Sequence, residues 1–130
     1  MSSGAEAPRG PDSPVWVLLL HRDAEETLYE AAAMTAAAVS LGISVTLLWF
    51  DAALEALVSG RLSESEGEPR SAARLFAEAR ESGSVRSLAC SASLVHRKLD
   101  PDRLAASVDA IVGWPTAISL IRAAERSFVW

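Results

Sequence analysis

Short apolar runs that alternate with helix-length segments constrain the fold of this chain more than any other feature. The first run, Val15–Leu20, is apolar without interruption. A continuous apolar run of this length predicts a strand covered on both faces. Helical segments separate it from four further runs, which begin near Ile43, Val85, Asp109 and Ser127. Repeated βαβ units predict an α/β protein with a parallel sheet and helices on both faces, because crossover connections are right-handed. The order of the strands stays open.

The longest predicted helix covers residues 24–41 and is built almost entirely from small apolar residues. Asp23 is its predicted N-cap, Glu26 stands at capping-box spacing, and Gly42 is the predicted C′ residue. A helix without a clear polar face is buried on more than one side. In so small a protein, this composition predicts that another subunit covers the second side.

Three further helices are predicted from their starting residues. Asp51 is predicted to cap a short helix over residues 52–58. Another helix is predicted over residues 71–82. Asp100 stands before Pro101, the arrangement of an N-cap followed by proline at the first helical position, and predicts a helix that ends near residue 107.

Composition limits the classes of function. The 130 residues are half apolar and 22% charged, which is typical of one globular domain with a hydrophobic core. Residues 1–14 are predicted to be a flexible leader and residues 15–130 a single domain. The net charge of −5 argues against non-specific nucleic-acid binding, which needs a basic face. The run Val15–Leu20 is too short for a membrane span or a signal-peptide core, so we expect a soluble cytoplasmic protein.

Several chemistries lack the residues that they need. The single cysteine cannot form a disulfide or a dithiol within the chain. One cysteine and two distant histidines do not predict a zinc site, so no metal is expected. The chain also carries no glycine-rich phosphate-binding motif, and we expect no cofactor.

The carboxyl edge of the predicted sheet collects the candidate site residues. Cys90 ends the third strand and stands before Ser91 and Ser93, at the start of a predicted helix. Ligands and reacting groups collect at this edge of parallel sheets, and a helix N-terminus makes a thiol more nucleophilic. His21, after the first strand, is a candidate to orient or protonate a sulfur intermediate. His96 follows Cys90 beside two basic residues, where positive charge favours thiolate.

Each candidate also has a purely structural interpretation. Free cysteine is among the most buried residue types, so Cys90 fits a core position equally well. A histidine at a strand end more often bonds the backbone, which applies to His21. Arg97 and Lys98 fit a solvated loop, and Trp114 fits a packing role. Whether His21 and Cys90 meet depends on the strand order.

The residues that carry these features resemble a known family. Three segments are similar to the DsrE/DsrF-like sulfur-relay family. They are the strand ending in Ala89-Cys90-Ser91-Ala92-Ser93, the entry Leu41-Gly42-Ile43-Ser44 into the second strand, and the Ala-rich helix. The resemblance covers residues 15–130. It implies a three-layer α/β/α sandwich with a predominantly parallel five-stranded sheet, and a homo-oligomer, either a trimer or a hexamer. It also implies that Cys90 carries a persulfide.

The leading hypothesis is therefore a small soluble sulfur-relay protein that carries sulfane sulfur as a persulfide on Cys90. Such a protein exchanges sulfur with donor and acceptor proteins. The alternative is a non-catalytic oligomeric binding or scaffold protein of the same fold with an inert cysteine. A third hypothesis is a redox sensor that is oxidised at Cys90. Whether the protein is an enzyme stays open.

Overall fold

The computed structural model describes residues 14–64, 71–104 and 106–130, without the side chains of residues 63 and 64. The leader predicted over residues 1–14 lies, except for Pro14, outside the described residues. The described chain alternates strands and helices. The strands are β1 (Val15–Leu20), β2 (Ser44–Trp49), β3 (Val85–Cys90), β4 (Ala110–Val112) and β5 (Arg126–Val129). The α-helices are α1 (Glu25–Ser40), α2 (Asp51–Val58), α3 (Arg61–Glu64), α4 (Ala72–Glu81), α5 (Ser91–His96) and α6 (Trp114–Ala123).

The five strands form one sheet in the order β4-β3-β2-β1-β5. Every strand pairing is parallel, which confirms the predicted α/β class. β2 lies at the centre and is buried at all of its residues, as expected for a strand covered on both faces. Because β2 separates β1 from β3, the residues that follow those two strands are not on neighbouring strands.

Helices cover both faces of the sheet, so the molecule is the three-layer α/β/α sandwich that the family resemblance implies. On one face Leu18, Leu47 and Ala89 pack in a large core with α1, α2 and α4. The other face carries a smaller core that includes Cys90, and α6 is the helix that packs on it within the described residues. The two cores follow from the alternation of side chains along each strand.

The indole N–H of Trp49, at the centre of the large core, is paired, whereas the buried Trp130 Nε1 beside the same core has no hydrogen-bond partner among the described residues. Trp49 is almost completely buried, and its Nε1 donates a hydrogen bond to Ser87 Oγ at 2.8 Å. The Ser87 backbone N–H in turn donates to Asp109 Oδ2 at 2.7 Å. Burying an indole without a hydrogen-bond partner costs about 1–3 kcal/mol, so this pair removes a penalty from the centre of the fold. The Trp49 ring also packs edge-on against Phe76 at 5.4 Å between ring centroids.

Two of the predicted helix caps are wrong, and tertiary contacts explain both. α1 has Ala24 as its N-cap, and the Asp23 carboxylate instead pairs with the Arg61 guanidinium at 3.1 Å. α2 begins at Asp51 itself, with Phe50 as its N-cap. Both carboxylates are taken by groups that are distant in the sequence, which local capping rules do not include.

The predicted boundaries at Ser71 and Gly42 hold, whereas the end of the helix after Asp100 does not. The Ser71 hydroxyl caps α4 by accepting a hydrogen bond from the Arg74 backbone N–H at 3.0 Å. Gly42 follows α1 with a φ of +83°, the left-handed conformation of a C′ glycine. The helix predicted after Asp100 is shorter than expected, a single 3-10 helix over Pro101–Leu104. A 3-10 helix is common in such short connections.

The Ala-rich helix α1 is buried along one stripe rather than all round. Its buried residues include Leu28, Ala32 and Thr35, whereas Glu30 and Ala37 are exposed in the single chain. The expectation that a subunit covers the second side of this helix therefore stays a prediction.

Candidate functional site

The carboxyl ends of the three central strands bring the candidate residues to one edge of the sheet. Cys90 is the last residue of β3 and the N-cap of α5. Asp51 begins α2 just after β2, and His21 directly follows β1. The parallel topology therefore places the thiol of Cys90 and the imidazole of His21 along the predicted edge, together with the Asp51 carboxylate.

Asp51 is the centre of the polar network at this edge. Its backbone N–H donates to Ser93 Oγ at 3.1 Å, and the Ser93 hydroxyl donates to Asp51 Oδ1 at 3.2 Å. The second carboxylate oxygen, Oδ2, lies 3.7 Å from His21 Nδ1. Asp51 has a φ of +45°, a left-handed conformation that is unfavourable for a residue with a side chain. Ser93 and Asp51 thus tie the first turn of α5 to the first turn of α2.

Three aromatic rings form a stack beside this network. The His21 imidazole lies nearly parallel to the Phe50 ring, at 4.6 Å between centroids and 10° between planes. The Trp114 indole stacks on the same Phe50 ring at 5.0 Å and 26°. Phe50 is 2% exposed, whereas Trp114 is 46% exposed. The stack therefore joins residues that follow β1, β2 and β4 into one continuous aromatic layer.

Cys90 is buried rather than at the surface. Cys90 is 4% exposed and belongs to the smaller core, together with Leu48, Phe50 and Ala117. Val112 and the α6 residues Leu120 and Ile121 pack against the same core. Cys90 therefore lies at the end of β3, as predicted. Its low exposure, however, agrees with the interpretation of Cys90 as a core residue.

The remaining predicted site residues are placed in different surroundings. Ser91 is half-buried, and its Oγ lies 3.7 Å from the point where a Cβ on Gly113 would stand. His96 is exposed at the end of α5. His21 and Cys90 do not share a strand pair, and two strand spacings separate their backbones by roughly 10 Å. Phe50 follows the intervening strand and contacts the imidazole.

The basic residues after α5 do not form a thiolate-stabilising cluster. Arg97 pairs with Glu55 at 2.8 Å on the surface, which agrees with the solvated-loop interpretation. Lys98 is exposed and has a left-handed φ of +56°. No contact between either residue and Cys90 is present in the described part of the chain.

Hydrolytic and metal chemistry receive no support from this geometry. The Ser93 hydroxyl bonds to a carboxylate, so it lacks the imidazole base that activates a serine nucleophile. Within residues 14–64, 71–104 and 106–130, no group of three or more His, Cys, Asp or Glu side chains is arranged to hold a metal ion. The reactive candidate that remains at this edge is the thiol.

Sequence reasoning missed the pairing of Asp51 with Ser93 and the role of Phe50. Asp51 was interpreted as a helix cap, and Ser93 only as a small polar neighbour of Cys90. Both residues stand just past the end of a strand, and this placement indicates that they lie at the same edge of the sheet. It predicts their contact only when β2 and β3 are known to be adjacent.

No helix in the described part of the chain combines the length and the apolar character needed to cross a membrane.

Comparison with known proteins identifies the family. The model of the DsrE/DsrF-like family matches residues 15–130, and the chain belongs to this family. Among solved structures, the chain is similar to MTH1491 from Methanobacterium thermoautotrophicum, which is described as a protein of unknown function. The two share 18% sequence identity over 90% of this chain and 99% of that chain, with a TM-score of 0.53. This likeness concerns the fold alone. No curated protein sequence matches the chain.

Proposed function

We propose that this protein is a sulfur carrier that holds sulfane sulfur as a persulfide on Cys90 and passes it to an acceptor. The observation that carries the proposal is the position of Cys90 at the carboxyl end of β3 and the N-cap of α5, in a chain of the DsrE/DsrF-like family. This edge is where parallel α/β sheets collect reacting groups. The absence of a second cysteine in the chain means that the sulfur leaves to another molecule or another subunit.

The transfer needs no external oxidant or reductant. The Cys90 thiolate attacks the outer sulfur of a donor persulfide, and a new S–S bond forms on Cys90. The S–S bond of the donor breaks, and the donor leaves as a thiolate. An acceptor thiolate then attacks the outer sulfur of the Cys90 persulfide and restores the Cys90 thiolate. The sulfane sulfur keeps its oxidation state throughout, and each step exchanges one S–S bond for another.

Intact-protein mass spectrometry tests this function directly. The native protein is incubated with glutathione persulfide, separated from the donor and weighed without a reducing agent. We expect a mass gain of one sulfur atom on the wild-type protein. The Cys90→Ser variant, which keeps the size of the side chain, should show no gain. A wild-type protein that gains no sulfur would contradict the proposal.

One observation favours a second candidate function, a scaffold or binding protein with an inert cysteine. Cys90 is 4% exposed and packs among apolar side chains, as structural cysteines do. Titration of the native protein with a small disulfide reagent separates the two candidates. A sulfur carrier reacts under native conditions, whereas an inert thiol reacts only after denaturation.

We also propose that the protein is a cytoplasmic homo-oligomer, either a trimer or a hexamer, which exchanges sulfur with partner proteins. The small apolar residues of α1 and the exposed Val129 on the edge strand β5 support a covered surface. Light scattering at micromolar concentration measures the mass in solution, and a monomeric mass would contradict the oligomer.

A further inference from the structure

The burial of Cys90 creates a requirement that the sulfur-carrier function has to meet. A thiolate attacks a donor sulfur in contact with it, so the donor has to reach an atom that is covered in the resting structure. Which part of the fold moves depends on what covers the thiol. The backbone of β3 is fixed between β2 and β4, so the sheet itself does not open.

Outside the strands, the residues of the core that holds Cys90 come from α6, its C-cap and Phe50. Within the described residues, the core around Cys90 includes Ala117 of α6, and Leu120 and Ile121 of the same helix pack against it. Phe50 belongs to the same core. Val112, the last residue of β4, pairs with Cys90 in the sheet, and α6 begins at Trp114, just after it. The first turn of α6 therefore starts next to Cys90.

α6 is also a weakly held helix. Ala117 is its only buried residue, whereas α1 buries five residues, among them Leu28 and Ala31. Segments with few buried apolar contacts open at low free-energy cost. The edge strand β4, which leads into α6, is three residues long and mostly exposed. α6 is therefore the element on this face that can move without unfolding the central sheet.

Trp114 is the contact that holds the first turn of α6 down. Its indole stacks on Phe50 at 5.0 Å, and the Phe50 ring is in turn stacked on His21. Trp114 is nevertheless 46% exposed, so part of it faces solvent. Because Trp114 is only partly buried and belongs to neither core of the described chain, breaking this contact leaves the hydrophobic cores largely intact.

We propose that Trp114 determines access to Cys90, by clamping the first turn of α6 over the thiol in the closed state and releasing it when the donor is admitted. This inference rests on the proposed function for its biological meaning, but the access step is measurable by itself. Trp114 acts through the position of α6, and it takes no part in the bond exchange.

The rate at which iodoacetamide alkylates Cys90 in the native full-length protein reports this access. We expect Trp114→Ala to raise the rate about two- to tenfold, the range that corresponds to the loss of one aromatic stacking contact. Trp114→Phe keeps a ring on Phe50 and should stay near the wild-type rate. Ile118→Ala, on the same helix and 48% exposed, controls for general loosening of α6 and should also stay near it.

Three results would overturn the proposal. They are an unchanged rate in Trp114→Ala, an equal increase in Ile118→Ala, and an increase in Trp114→Phe as large as that in Trp114→Ala. Urea denaturation of each variant checks that any change precedes global unfolding.

The same variants treated with glutathione persulfide separate this proposal from the proposed function. Faster alkylation of Trp114→Ala without sulfur uptake by any variant supports the access role and refutes the sulfur carrier. Equal sulfur uptake by all variants at an unchanged alkylation rate supports the carrier and refutes the access role.

Discussion

Replacing Ser93 with alanine tests the link between α2 and α5 most cleanly. Ser93 is 5% exposed, and its hydroxyl bonds both the backbone N–H and the Oδ1 of Asp51. Each such hydrogen bond contributes about 1 kcal/mol net, and water partly replaces the bond to the half-exposed carboxylate. We therefore expect Ser93→Ala to lower the free energy of unfolding by about 1.5 kcal/mol.

Urea denaturation followed by circular dichroism measures this change. Ser91→Ala is the matched control, because Ser91 lies on the same first turn of α5 and makes no side-chain hydrogen bond in the described part of the chain. It should cost less than about 0.5 kcal/mol, as most substitutions outside special contacts do. Equal losses in the two variants would refute the structural role that we assign to Ser93 and Asp51.

Three further substitutions test other parts of the fold by urea denaturation. Gly42→Ala should cost about 1 kcal/mol, because the φ of +83° disfavours a side chain even though no atom crowds the site; no loss would mean that the turn is not left-handed. Asp109→Ala should cost about 1–2 kcal/mol because the Ser87 N–H loses its acceptor, and Asp109→Asn, which keeps an acceptor oxygen, should cost less; the reverse order would contradict this. Arg97→Ala should lower the free energy of unfolding by less than about 1 kcal/mol, because its pair with Glu55 is exposed. It should also leave the rate of Cys90 alkylation unchanged, and a slower rate would show that the Arg97 charge acts on the thiol.

The strands could be predicted because each one is a short apolar run that can be recognised from neighbouring residues alone. The run Val15–Leu20 is a strand with the predicted boundaries, and Gly42 and Ser71 mark helix ends as expected. Local patterns wrongly predicted Asp23 and Asp51 as helix caps. The Asp23 carboxylate binds Arg61 and the Asp51 carboxylate binds Ser93, 38 and 42 residues away along the chain, and those contacts exist only once the strand order is fixed.

The candidate site was predictable in position but not in environment. The end of β3 places Cys90 at the carboxyl edge of the sheet whatever the strand order. Its burial depends on α6, which begins after Gly113 and returns over the sheet from a later part of the chain. The stack on Phe50 has the same origin, since Trp114 reaches it through tertiary packing alone.

A two-stage transfer measurement tests the central claim most directly. The protein is loaded with radiolabelled sulfane sulfur from glutathione persulfide, freed from the donor, and then mixed with an excess of an acceptor thiol. We predict that the label binds wild-type protein, that Cys90→Ser retains none, and that the acceptor removes the label and restores a free thiol. A native wild-type protein that takes up no label, or whose label stays bound when the acceptor is added, would contradict a sulfur carrier.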